Sequence, residues 1–118
     1  MENLDEERKD FIKEKIPGPY SFIVKIKKEY IKDLVPVLDN KKLGIRIPKN
    51  EFCQNLAQKL GFTFTSTSAD ITNLPPAHSL FDFKKQLNKV DEKFWPDLFI
   101  DAGVLPKNNP SKIIDLTV

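Results

Sequence analysis

One cysteine, one histidine, one tryptophan and four glycines are all that this 118-residue chain offers of those residue types. With Cys53 alone, no internal disulfide forms and no four-cysteine zinc site can be built. With His78 alone, a catalytic triad or a histidine-based metal site has almost no material. Phosphate-binding P-loop, G-x-G-x-x-G, G-x-S-x-G and H-E-x-x-H signatures are all missing. No residue is therefore read as a catalytic acid, base or nucleophile, and none as a metal ligand. No apolar run approaches the roughly 18 residues of a membrane helix. The opening, MENLDEERKD, is acidic and polar, unlike a signal or transit peptide. The expectation is a cytoplasmic protein without membrane contact. Nine prolines against four glycines invert the usual proportion of about 5% to about 7%.

What is present fits one domain with one core: 40% of the residues are apolar and 31% charged. The net charge of +2 is far from that of a dedicated nucleic-acid binder. Its distribution is uneven. Residues 1–16 carry net −2, residues 25–49 net +5 and residues 50–118 net −1. The middle stretch, with Lys25, Lys27, Lys28, Lys32, Lys41, Lys42, Arg46 and Lys49, is where a polyanion meets a concentrated field. A solvated lysine edge that discourages strand aggregation explains the same residues.

Helices and strands are expected in alternation. Asn3 is placed to cap a helix over residues 1–16 with Leu4, Phe11 and Ile12 on one side, ended by Pro17-Gly18-Pro19. Tyr20 to Lys27 alternates as a strand with Phe22, Val24 and Ile26 on its apolar face. A short, broken helix is expected over 29–38, and a strand from Leu43 to Ile47. The helix from Asn50 to Leu60 carries an apolar stripe through Phe52, Cys53, Leu56, Ala57 and Leu60, with Gly61 as its cap. Its stripe makes Cys53 a small buried hydrophobe. Phe62–Thr67, Asp97–Asp101 and Lys112–Leu116 read as strands, and Ser79 as the cap of a helix through Leu80, Phe83 and Leu87. The pattern is that of an α/β protein. Asp97 and Asp101 would lie on one strand face about 13 Å apart, too far to act together.

Three features invite an anion. The turn Thr65-Ser66-Thr67-Ser68-Ala69-Asp70 sets hydroxyls and free backbone N–H groups at a strand end, where phosphate or carboxylate oxygens are held. A capping turn is the plainer explanation of the same residues. Arg46 amid strand apolars needs an anionic partner, a structural carboxylate or a ligand. Ser111 places a further hydroxyl at a strand entry, and His78 after Pro75-Pro76-Ala77 reads as a loop or helix-start residue rather than a general base.

Five segments in order resemble the YrdC/YciO family of threonylcarbamoyl-AMP synthases. Pro17-Gly18-Pro19-Tyr20-Ser21 is similar to the family's P-G-P-x-T strand entry, and Leu43-Gly44-Ile45-Arg46-Ile47-Pro48 to its G-V/I-R-V/I-P strand. Leu60-Gly61, Ser66-Thr67-Ser68-Ala69-Asp70 and Pro75-Pro76 resemble L-G, S-T-S-A-N and P-P. Asp97-Leu98-Phe99-Ile100-Asp101-Ala102-Gly103 and Pro110-Ser111-Lys112-Ile113-Ile114-Asp115-Leu116 resemble D-x-x-I/L-D-G-G and P-S-T-V/I-V/I-D-L.

The resemblance implies a twisted open mixed sheet with flanking helices, one partial YrdC-like domain over 1–118 that lacks the family's N-terminal strands. It implies synthesis of threonylcarbamoyl-AMP from L-threonine, bicarbonate and ATP with release of pyrophosphate, in the service of tRNA modification. ATP is then a substrate, accompanied by magnesium, and no cofactor is tightly bound. Carried over by position, Arg46, Ser66 and Ser111 hold threonine, and Lys42, Ser68 and Pro76 meet the nucleotide. Double-stranded RNA or tRNA is a further implied partner, with Lys25, Lys27, Lys28 and Lys41 as its contacts. Departures from the family pattern are Asp70 for asparagine, Thr72-Asn73 for S-G, Lys42 and Lys112 for threonines, and Ala102 for glycine. The family's opening K-x-R block and its final arginine are not found in the chain. A shortened chain, a split gene whose other product supplies the block, or a decayed relative is implied, active with that block and inactive alone. Two other readings stand beside it: a non-catalytic RNA- or nucleotide-binding module, and a structural partner completing another chain's sheet.

Overall fold

In a computed structural model, which describes residues 4–30, 41–62 and 64–118, the first helix, α1, spans Glu6–Lys15. Its cap is Asp5, whose side chain accepts from the Arg8 N–H at 2.8 Å. The expected cap, Asn3, lies outside the described residues; Asp5 does the same chemistry one half-turn later, ahead of Glu6 and Glu7 at the positive end of the helix. Pro17 ends the helix as expected, and Gly18 follows because a Cβ there would lie 2.5 Å from the Lys15 carbonyl.

Strand β1 (Tyr20–Lys25) then buries Phe22 and Val24, each about 1% exposed, and Ile26 follows on the same side. Period-2 alternation sets these residues on one face, where Ile12 of α1 meets them. Phe11 meets Phe22 edge-on at 6.4 Å, and Tyr20 stacks beside it at 6.3 Å. Each such side chain taken from water contributes about 1.5–3 kcal/mol.

Strand β2 (Lys42–Ile45) runs antiparallel to β1, with Phe22 opposite Ile45 and Lys25 opposite Lys42. Strand β3 (Lys112–Asp115) runs parallel on the other side, with Tyr20 opposite Lys112 and Ile23 opposite Asp115. The order β2-β1-β3 makes an open, mixed three-stranded sheet, the α/β architecture expected. Leu43, Ile45, Ile114 and Leu116 complete the apolar face. Arg8 fastens α1 to the end of β3, donating to the Leu116 carbonyl at 3.3 Å and the Val118 carbonyl at 2.9 Å.

Helix α2 (Glu51–Leu60) follows, capped by Asn50 at one end and by left-handed Gly61 (φ 64) at the other. Its apolar stripe is less covered than the sequence implied. Phe52 is 53% exposed, Cys53 is half-buried, and no residue of the helix is fully buried. Of the expected helix over 29–38, Lys28–Tyr30 forms a single 3-10 turn and residues 31–40 lie outside the described residues.

Residues 1–65 and 110–118 form one structural unit, residues 66–109 a second. The second is built around α3 (Leu80–Leu87), capped by Ser79 as expected, with Leu87 buried. A 3-10 turn at Glu92–Phe94 follows.

Two expected strands do not form. Residues 62, 64–67 and 97–101 have no strand pairing. Alternation makes a strand only where a ladder partner lies alongside. Without one, Phe62, Phe64, Leu98 and Ile100 remain exposed. No helix among the described residues is long and apolar enough to cross a membrane.

Candidate functional site

The sheet has a second face, opposite the core, made of the alternate residues Ser21, Ile23 and Lys25 of β1, Lys42 and Gly44 of β2, and Ile113 and Asp115 of β3. At the end where β1 begins, the Ser21 and Ser111 hydroxyls lie 2.7 Å apart and partly buried. Parallel pairing across ninety residues creates this contact, since Tyr20 opposite Lys112 brings the residues flanking both strand starts together.

Arg46 belongs to the same end. It follows β2 directly, between the Phe22–Ile45 pair and a hydrogen bond from the Gly18 N–H to the Ile47 carbonyl at 2.9 Å. Strand β2 stops one residue before Arg46, so the arginine is not a strand residue as expected. It is exposed, and no carboxylate among the described residues lies within ion-pair distance of it.

The other end of this face is cationic. Lys25 and Lys42 are a cross-strand pair, and the Lys41 carbonyl accepts from the Ile26 N–H at 3.1 Å. Lys25, Lys27, Lys28 and Lys41 are all exposed. Lys42 and Arg46 are four positions apart, about 13 Å along an extended chain. Lys42 instead meets Asp115, Nζ to Oδ2 at 3.5 Å. Thr117 donates its hydroxyl and its backbone N–H to Asp115 Oδ1 at 2.6 and 2.8 Å. The Thr117 hydroxyl first, then its N–H and the Lys42 charge, hold the Asp115 carboxyl below its ordinary value of 3.8.

Ser66, Ser68 and Pro76 belong to the second unit and are exposed. The hydroxyl-rich segment is a folded loop. The Asp70 N–H donates to the Ser68 carbonyl at 3.0 Å, and Ala77 N–H reaches back to the Ala69 carbonyl at 2.9 Å. Gln86 of α3 fixes its far side, accepting from the Ile71 N–H at 2.8 Å and donating to the Pro75 carbonyl at 2.9 Å. His78 stands at the helix start as expected, its carbonyl accepting from the Leu105 N–H at 2.7 Å. Beside it, Leu80, Phe83, Leu98, Phe99 and Asp101 line an open cavity of about 260 Å³.

Ser21, Asp115 and Gln86 are the residues that sequence reasoning passed over as parts of this chemistry. Ser21 had a signal, a hydroxyl at the strand entry of a quoted motif; Asp115 and Gln86 are defined only by long-range pairing. Among the described residues, no cluster of three or more His, Cys, Asp or Glu side chains could hold a metal ion.

The open mixed sheet, with Arg46, Ser21 and Ser111 at one end and lysines at the other, is that of an α/β protein. Comparison with known proteins gives the family. The YrdC/YciO family model, described as "Telomere recombination", matches residues 1–118. A threonylcarbamoyl-AMP synthase of Photobacterium profundum is 32% identical over 94% of this chain and 58% of its own length. That of Bos taurus is 30% identical over 91% of this chain and 38% of its own. YciO of Escherichia coli is 32% identical over 90% of this chain and 48% of its own. The chain belongs to the YrdC/YciO family. It spans about half the length of the curated relatives it matches.

Proposed function

We propose that this chain is part of a threonylcarbamoyl-AMP synthase, its first unit recognising the carboxylate of L-threonine. The observation that carries the reading is the corner where Arg46 and the Ser21–Ser111 pair share one end of the sheet. A planar guanidinium offers two parallel donors to a carboxylate, and a neighbouring hydroxyl offers a third. Relatives that align over more than nine-tenths of the chain and carry that enzyme's name support the same substrate.

In the reaction, the threonine amine and bicarbonate form a carbamate with loss of water. A carbamate oxygen then attacks the α-phosphorus of ATP, the bond to the β-phosphate oxygen breaks, and pyrophosphate leaves. The chain's part in this is positioning and charge placement, which need no histidine or cysteine. Arg46 and Ser111 hold the amino acid. Ser66, Ser68 and Pro76 of the second unit serve the substrates through hydroxyl and backbone groups, and Lys42 supplies positive charge. Magnesium comes with the nucleotide's phosphates. The product serves tRNA modification in the cytoplasm.

Titration of L-threonine and ATP into the 118-residue chain tests this, alone and with a separately made chain spanning the part of the Photobacterium relative it does not cover. Pyrophosphate release that needs both chains, ATP and threonine is the expected result. No binding of either substrate under any of these conditions overturns the reading.

A second reading rests on the exposed Lys25, Lys27, Lys28 and Lys41: an RNA- or nucleotide-binding module without catalysis. It predicts binding of double-stranded RNA or tRNA that weakens steeply with salt, without substrate turnover.

A further inference from the structure

We propose that Ser21 is a positioning residue that aims the Ser111 hydroxyl at the substrate carboxylate; this rests on the threonine reading above. The two oxygens are 2.7 Å apart, and either could donate to the other. Each hydroxyl has one proton, so a pair joined by one hydrogen bond keeps one proton to give outward. A carboxylate can only accept. When Ser21 donates to Ser111, the Ser111 oxygen becomes the more polarised, and its own proton is the one left for the ligand. Without Ser21, the Ser111 hydroxyl rotates among three staggered positions, and only one of them is useful.

The setting supports a ligand rather than a purely structural bond. The pair is partly buried at the strand starts, on the sheet face opposite the core, so it adds nothing to apolar packing. Gly44 lies on the same face one alternation before Arg46, and nothing among the described residues stands within 4 Å of where its Cβ would be. Glycine inside a strand weakens it, and here no close neighbour or left-handed backbone explains it. Its lack of a side chain keeps the face clear beside Arg46. Arg46 itself has no carboxylate within ion-pair distance among the described residues. A cation, an oriented hydroxyl and an open floor thus share one end of one face.

An isosteric pair of variants makes the test, because threonine and valine differ at Ser21 only by the hydroxyl and both suit a strand. L-threonine is titrated calorimetrically into the 118-residue chain carrying Ser21→Thr, Ser21→Val, Ser111→Ala or Ser21→Val with Ser111→Ala. Ser21→Thr should bind within about twofold of the parent, and Ser21→Val about 5- to 10-fold more weakly, the size of one hydrogen bond between neutral groups. The double variant should bind no more weakly than Ser111→Ala alone, since Ser21 acts through Ser111. Equal affinities for Ser21→Thr and Ser21→Val overturn the role of Ser21 and leave the threonine reading standing. Additive losses in the double variant overturn it too, because Ser21 would then act independently. A parent chain that does not bind L-threonine, alone or together with the complementary chain, overturns both.

Discussion

The two units of this molecule are held by different means. The first has a continuous apolar core, with Ile12, Phe22, Val24 and Ile26 buried between α1 and one face of the sheet. The second has a single fully buried side chain, Leu87. Its order comes from polar ties: Gln86 spanning the loop from Ile71 to Pro75, Trp95 Nε1 donating to the Val90 carbonyl at 2.9 Å, and Leu105 tied to His78. Phe83 and Phe99 add an edge contact at 6.3 Å, with the Lys84 ammonium over the Phe99 ring. A core resists local opening because many side chains must part together. A loop framed by single hydrogen bonds opens piecewise.

The sharpest way to break that contrast is Phe22→Ala. It should cost about 3–5 kcal/mol in urea denaturation and abolish exchange protection across all three strands together. Gln86→Ala should cost less, about 1–3 kcal/mol, because it strands one N–H and one carbonyl. Its signature is local: proteolysis and amide exchange rise at residues 70–77 while the sheet keeps its protection. Loss of sheet protection in Gln86→Ala would show that the two units open as one. Asn50→Ala should remove about 1 kcal/mol through the lost cap of α2, read as a lower thermal midpoint with unchanged sheet protection.

The smallest effect concerns charge. The carboxyl of Asp115 sits below its ordinary value, chiefly through the Thr117 hydroxyl. A lowered folded-state pKa favours the folded chain above the ordinary carboxylate range, and that contribution disappears as pH falls through the lowered value. Thr117→Val should therefore raise the Asp115 pKa toward 3.8 in an NMR titration. It should also slightly blunt the acid sensitivity of the β3 edge. An unmoved pKa would assign the shift to the backbone N–H of residue 117, which valine keeps, and to Lys42.

Local signals carried much of the first unit. Alternation through Phe22, Val24 and Ile26 located the central strand and its buried face, and the apolar stripe with Gly61 located α2, whose expected first residue, Asn50, is its cap. Both depend on near neighbours in the chain. The failures share the opposite property. The segments around 62–67 and 97–101 have the right alternation, but pairing partners are a matter of tertiary structure. Phe52 and Cys53 lie on a well-formed stripe, yet a stripe does not say how fully it will be covered. The candidate site divides in the same way. Arg46 and Ser111 could be picked out by residue type and resemblance, whereas Ser21 acquires a role only through a contact with a residue ninety positions away. Gly44 is an exception among the glycines: neither a turn nor a close approach demands it, and the open face beside it is its only visible use.

The parallel pairing of β1 with β3 has a consequence for how the protein is made. The strand beside Tyr20–Ile23 is supplied by residues 112–115, after the whole second unit has been synthesised. Until then the central strand offers one unpaired edge, and Arg8 has no carbonyls of Leu116 and Val118 to grip. Local helices and the β1–β2 pair can form on the ribosome, but closing so long a loop comes last and slowly. During that interval the bare edge of β1 is open to other strands, and so to aggregation or chaperone capture.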